Sequence, residues 1–105
     1  MEEIRYIEEE EFNDFIVEQK RTVLVCFSAT WCNPCKMLKP ILQSVKEEVG
    51  TDVDIFSVDV DNSFDLAKSY GVLSVPTLIL FKDGLEHKRV IGLKSKDFIV
   101  EMLKD

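Results

Sequence analysis

Metal ligands are scarce in this sequence: one histidine and three cysteines stand among 105 residues. A structural zinc site needs about four such ligands, and no second CxxC or CxxH pair accompanies Cys32 and Cys35, which leaves no metal site to expect. The odd cysteine also excludes a framework in which every thiol is paired. Basic charge is short as well, 13 Lys and Arg against 20 Asp and Glu, for a net −7. Without a basic stripe to offset like-charge repulsion, nucleic acid and anionic membrane surfaces are poor partners. No apolar run approaches the roughly 20 residues of a membrane span. The opening Met1-Glu2-Glu3-Ile4-Arg5 has neither the basic region nor the apolar stretch of a secretory leader, so a cytoplasmic protein is expected. Only four Gly and three Pro occur, and there is no linker, repeat or low-complexity tract. The expectation is one domain over 1–105, working as a monomer.

The apolar pattern, by contrast, is rich. Phe12, Phe15, Ile16 and Gln19 fall at helical spacing behind the acidic run Glu8 to Glu11, which predicts a first surface helix over 8–20. Val23-Leu24-Val25-Cys26-Phe27 is a continuous apolar run of strand length, as expected where both faces of a strand are covered. Leu38, Ile41, Leu42, Val45 and Val49 form one face of a helix that ends at Gly50 and bends at Pro40. Residues 53–60 read as a strand, 62–70 as a short helix closed by Gly71, and 77–81 as a second apolar strand. Asp83-Gly84 signals a hairpin into a strand over 86–91, and Ser95 can cap a last helix burying Phe98, Ile99, Met102 and Leu103. The class is α/β in the order βαβαβαββα, with a mixed sheet covered by helices on both faces.

The chemistry concentrates in Trp31-Cys32-Asn33-Pro34-Cys35, at the junction where a strand feeds a helix. Two intervening residues let one tight turn bring the sulfurs within disulfide reach. A sulfur at the helix start faces unpaired N–H groups and the positive dipole end, both of which favour thiolate, so Cys32 is the expected nucleophile. Cys35, one turn further in and more covered, suits the resolving thiol. Pro34 costs little in the first turn and stiffens the pair. Trp31 reads either as a core aromatic or as a flat apolar platform beside the nucleophile. His87, on the predicted hairpin strand, receives no role.

Over essentially its whole length the chain resembles the thioredoxin family. The resemblance rests on the strand Val23 to Phe27, the segment Phe27-Ser28-Ala29-Thr30-Trp31-Cys32-Asn33-Pro34-Cys35-Lys36, Val75-Pro76-Thr77 and Gly92. It implies a thioredoxin fold and a protein-disulfide reductase that binds no cofactor. It also implies that disulfide-containing proteins are the substrates and that a thioredoxin reductase returns the oxidised pair to the dithiol. Val75-Pro76 is then a cis peptide whose Val75 backbone pairs with an extended substrate segment; a cis bond, where one occurs, is almost always X-Pro. Trp31 becomes the partner platform, and Gly92 leaves room for the substrate backbone.

Two departures bear on redox tuning. The family usually has Gly where this chain has Asn33, whose side chain can cap the helix or hydrogen-bond near the thiolate. It commonly has a buried Asp where this chain has Cys26, and a Lys where this chain has Ser57, so the usual ion pair is missing. Cys26 reads first as a small buried hydrophobe, with a third redox thiol as the alternative. Two rivals to the reductase reading stand beside it: an oxidant or isomerase using the same pair, and a binding module that uses the Trp31, Val75 and Pro76 surface without turnover.

Overall fold

The computed structural model describes residues 4–104. Five strands, β1 (Arg5–Tyr6), β2 (Thr22–Ser28), β3 (Asp54–Asp59), β4 (Thr77–Lys82) and β5 (Leu85–Ile91), form one sheet in the order β1-β3-β2-β4-β5. β1 and β2 run parallel to β3, whereas β4 is antiparallel to both β2 and β5, so the sheet is mixed as expected. The helices are α1 (Glu9–Phe12), α2 (Asn33–Val49), α3 (Phe64–Ser69) and α4 (Lys96–Leu103). The element order is the one read from the sequence, including a first strand to which the apolar pattern assigned no residues.

The alternation of β2 and β4 divides the interior into two layers. Leu24, Cys26, Leu78 and Leu80 point to one face, where Leu38, Leu42 and Val45 of α2 meet Ile99, Met102 and Leu103 of α4. Val23, Val25, Phe27, Ile79 and Phe81 point to the other, covered by Phe12, Ile16 and Ala67. Strands buried on both faces must be apolar at successive positions, which is why β2 and β4 read as unbroken runs. Each large side chain withdrawn from water here contributes about 1.5–3 kcal/mol before the cost of ordering the chain. α2 continues through Pro40, which lies exposed on its outer side.

Two expectations are corrected. The first helix does not run over 8–20: α1 ends at Phe12 and passes into a π-helical stretch, Asn13–Val17, in which the Glu18 N–H donates to the Asn13 carbonyl at 3.0 Å. A 3.6-residue period overlooks such a widened turn, so Gln19 falls beyond the helical segment. Phe98 is not buried with its neighbours; it is 45% exposed, beneath the Lys94 ammonium at 5.2 Å. Ile99, Met102 and Leu103 occupy the i, i+3, i+4 stripe against α2, and Phe98, one residue before that stripe, falls to its edge. Ser95 caps α4 as expected, its Oγ accepting the Phe98 N–H at 3.2 Å.

The Asp83-Gly84 turn joins Lys82 to Leu85 with φ of +52° and +83°, the left-handed pair of a type I′ hairpin. Glycine here answers a second demand. A Cβ on Gly84 would lie 2.5 Å from the carbonyl oxygen of Val17, so the hairpin tip closes directly on the end of the π-helical stretch.

Candidate active site

The end of β2 and the start of α2 deliver the two thiols. Cys32 is the N-cap of α2, with extended backbone at φ −91° and ψ 114°. Its Sγ accepts the backbone N–H of Cys35 at 3.2 Å, the place ordinarily taken by a Ser or Asp side-chain oxygen. The cap is therefore the nucleophile candidate itself, and Asn33, expected as a capping side chain, is exposed at the first helical position. Pro34 follows in the first turn, where its missing N–H has no helical partner to lose.

The loop before β4 meets Cys32, and the end of β5 meets that loop. The Cys32 thiol donates to the Val75 carbonyl at 3.7 Å, and the Val75-Pro76 peptide is cis. The Gly92 N–H donates to the Pro76 carbonyl at 2.8 Å, which ties the end of β5 to the same loop. Gly92 has φ +95° and open space where a Cβ would be, so its surface is free for an approaching backbone. Cys32, Cys35 and Ala29 pack together against Val60 and Val75.

Cys35 was expected to be the more covered thiol, but both residues are 5% exposed. Burial, followed by the hydrogen bond it shares with the Cys32 sulfur, pushes the Cys35 thiol up to about 11. At neutral pH that group holds its proton. Cys26 lies within the α2 face of the core, paired across the sheet with buried Ser57, and burial pushes its thiol up to about 12. A core cysteine that never ionises near neutrality matches the small-hydrophobe reading of this position.

The sign of the consequence for stability follows from proton counting. Between the ordinary value of 9.0 and the folded value of about 12, the folded chain keeps a proton on Cys26 that the unfolded chain has lost. Stability from this group is complete below pH 9 and declines as pH rises, by about 1.4 kcal/mol per pH unit. Urea titrations of wild type and Cys26→Ala at pH 8, 9, 10 and 11 are expected to give a wild-type curve that falls more steeply above pH 9. Parallel curves would remove Cys26 as the cause.

Trp31 is no core residue: it is 67% exposed, and its indole N–H donates to Asp61 Oδ2 at 2.9 Å. Asp61 is in turn fixed by its backbone N–H, which donates to Asp59 Oδ1 at 2.8 Å. Sequence reasoning overlooked Asp61. The available signal was an Asp-x-Asp pair at the end of a buried strand, where carboxylates have backbone and ring N–H groups to accept from.

A family model described as Thioredoxin matches residues 3–105. The chain belongs to the thioredoxin family. It is 47% identical over 100 residues to the thioredoxin of Chlamydia caviae, covering 95% of each chain. It is 43% identical over 90 residues to that of Mycobacterium bovis, covering 86% of this chain and 78% of the relative. The solved structure of a mutant thioredoxin from Halobacterium salinarum superposes with a TM-score of 0.87 at 37% identity, over 97% of this chain and 88% of that one. The fold and activity implied by the sequence resemblance thus hold: this family member is a thiol-disulfide oxidoreductase that reduces protein disulfides and is recycled by a thioredoxin reductase. Among the described residues no helix is long and apolar enough to cross a membrane.

Proposed function

We propose that Cys32 attacks and Cys35 resolves. The Cys32 thiolate displaces one sulfur of a substrate disulfide to give a mixed disulfide, and that sulfur leaves as a thiol once protonated. Cys35 loses its proton and attacks Cys32 Sγ, which expels the second substrate thiol. Two electrons pass to the substrate, and the protein is left oxidised as a Cys32–Cys35 disulfide. The observation that carries this division of labour is the single hydrogen bond from the Cys35 N–H to Cys32 Sγ, beside a Cys35 thiol that burial keeps protonated. The attacking sulfur is the one that caps the helix, and the reserve sulfur lies in the first turn behind it.

Trp31, Val75, Pro76 and Gly92 are the substrate-binding residues in this reading. The exposed indole supplies an apolar wall, the Val75 backbone an edge for an extended segment, and Gly92 the clearance beyond it. Asn33, Pro34 and Cys26 tune the pair: Pro34 by fixing the first turn, Asn33 by placing an amide beside the N-cap, Cys26 by keeping a neutral group beneath the thiols. The whole chain acts as one domain. A monomer is supported by the sheet edges, since β1 has two residues and β5 presents Glu86, His87 and Lys88 outward, which discourages strand pairing between copies. The cytoplasm suits a dithiol donor, because thiols are kept reduced there.

The test is reduction of insulin by the dithiol form, followed by peptide mapping of the protein product. The expected result is rapid reduction, one Cys32–Cys35 disulfide, and Cys26 still a free thiol. No reduction, or a disulfide that includes Cys26, would overturn the assignment.

A further inference from the structure

Between the short edge strand and the long helix lies a pocket of about 360 Å³, lined by Ile4, Tyr6 and Ser57 from the sheet side and by Lys39, Leu42 and Gln43 from α2. Its volume falls in the range of small-molecule sites, about 300–1,000 Å³. Tyr6 and Ser57 are register partners in β1 and β3, and Ser57 is also the partner of Cys26, whose side chain packs on the α2 face of the core. Both side chains therefore stand on the face that α2 covers. Lys39 and Gln43 are four residues apart in α2, so they project side by side into the same space.

The Gln43 Nε2 atom is buried with no hydrogen-bond partner, the only such side-chain nitrogen or oxygen among the described residues. A buried donor of this kind costs stability until something accepts from it, and so marks a place where an acceptor belongs. Lys39 brings an ammonium, seated 5.2 Å from the centre of the Tyr6 ring. No carboxylate lines the pocket among the described residues. Glu8 and Asp59 line an adjoining recess that shares Tyr6 and Lys39, which sets an acidic end apart from the Gln43 end.

We propose that this pocket binds a small monocarboxylate with an apolar tail of about six carbons. Its carboxylate accepts from Gln43 Nε2 and the Lys39 ammonium, and its tail lies against Ile4, Leu42 and the Tyr6 ring. Each part of the ligand answers one part of the wall. A neutral carbonyl would satisfy Gln43 and leave the ammonium unanswered, whereas a bare inorganic anion would satisfy both donors and leave the apolar side chains wet. None of the residues assigned above to attack, resolution or substrate binding lines the pocket, so the inference stands apart from the reductase reading.

The experiment is an amide NMR titration of the full chain with hexanoate, hexanamide and acetate. Hexanoate is expected to give saturable shifts centred on Gln43 and Ser57, with Kd on the order of 1 mM for so small a ligand. Hexanamide is expected to bind about fivefold more weakly, and acetate to show no saturation over the same range. Gln43→Leu is expected to weaken hexanoate about tenfold and yet raise the urea midpoint of the free protein, because it removes a buried donor that lacks a partner. Binding and stability moving in opposite directions is a result that a packing role for Gln43 would not produce. Lys39→Gln, at an exposed position, is expected to weaken hexanoate about fivefold with the midpoint unchanged, and keeps the test sound if the first variant folds poorly. No saturation with hexanoate, shifts centred elsewhere, equal affinity for hexanamide, or full affinity in either variant would overturn the proposal. Insulin reduction by the same samples reports on the reductase reading separately.

Discussion

Cys35→Ser is expected to turn the protein from a catalyst into a trap. With Cys32 intact, attack on a substrate disulfide still proceeds, but no neighbouring thiol expels the second substrate sulfur, and the mixed disulfide persists. Turnover of insulin is expected to fall by about three orders of magnitude, while a covalent adduct accumulates on a non-reducing gel. Cys32→Ser is expected to lose turnover to a similar degree with no adduct, because the two remaining thiols, Cys26 and Cys35, are buried and protonated at neutral pH. The contrast between adduct and no adduct is the decisive readout. An adduct through Cys35 in the Cys32→Ser protein would reverse the two roles.

The raised Cys35 value gives this pair a pH signature. Burial, then the Cys32 contact, holds the folded-state thiol up at about 11, so resolution is expected to quicken as pH rises and more of Cys35 becomes thiolate. No carboxylate is buried among the described residues to take the proton instead; the buried polar side chains are Ser28, Ser57, Ser63 and Thr77. With Cys26 at this place, the resolving proton has no buried charged neighbour among the described residues.

The largest stability effect is expected at the hairpin tip. Gly84→Ala meets two penalties: φ of +83°, which an L side chain resists by about 1–2 kcal/mol, and a Cβ placed 2.5 Å from the Val17 carbonyl oxygen. The clashing atom is backbone, so relief requires the π-helical stretch or the hairpin to shift. A combined loss of about 3 kcal/mol is expected as a lower urea midpoint with an unchanged slope. Gly92→Ala is the natural control for the dihedral term alone, because φ is +95° there with open space around the added methyl. Equal midpoints for the two variants would show that the Val17 contact carries no cost.

How much of this was legible in the residues depends on the range of each signal. β2, β4 and α2 could be read because their burial is dictated by position within one segment: Val23 to Phe27 and Leu78 to Phe81 are apolar throughout, and Leu38, Leu42 and Val45 repeat at helical spacing. The Cys32–Cys35 pair was legible for the same reason, since four consecutive residues contain both thiols and the turn that joins them. β1 was not, because two exposed residues gain strand structure only by pairing with Phe56 and Ser57. The π-helical turn escaped because it substitutes one backbone period for another without changing which residues are apolar. A surface groove of about 370 Å³ lined by Trp31, Phe64 and Leu73 escaped for a third reason. Trp31, Phe64 and Leu73 belong to three segments, and each alone is an ordinary exposed hydrophobe until the fold brings them together.

Trp31 is the only tryptophan in the chain, and its ring lies exposed beside Cys32 with its N–H pinned to Asp61. Every photon of indole emission therefore originates at one spot, at the rim where a partner would settle. Phe and Tyr are spread through the chain, but neither absorbs at the red edge of the ultraviolet band that excites indole alone. Light chosen for that edge illuminates a single ring, whose shielding from solvent is expected to change if a partner docks against it. The chain thus carries its own unlabelled optical probe for encounter at the redox centre.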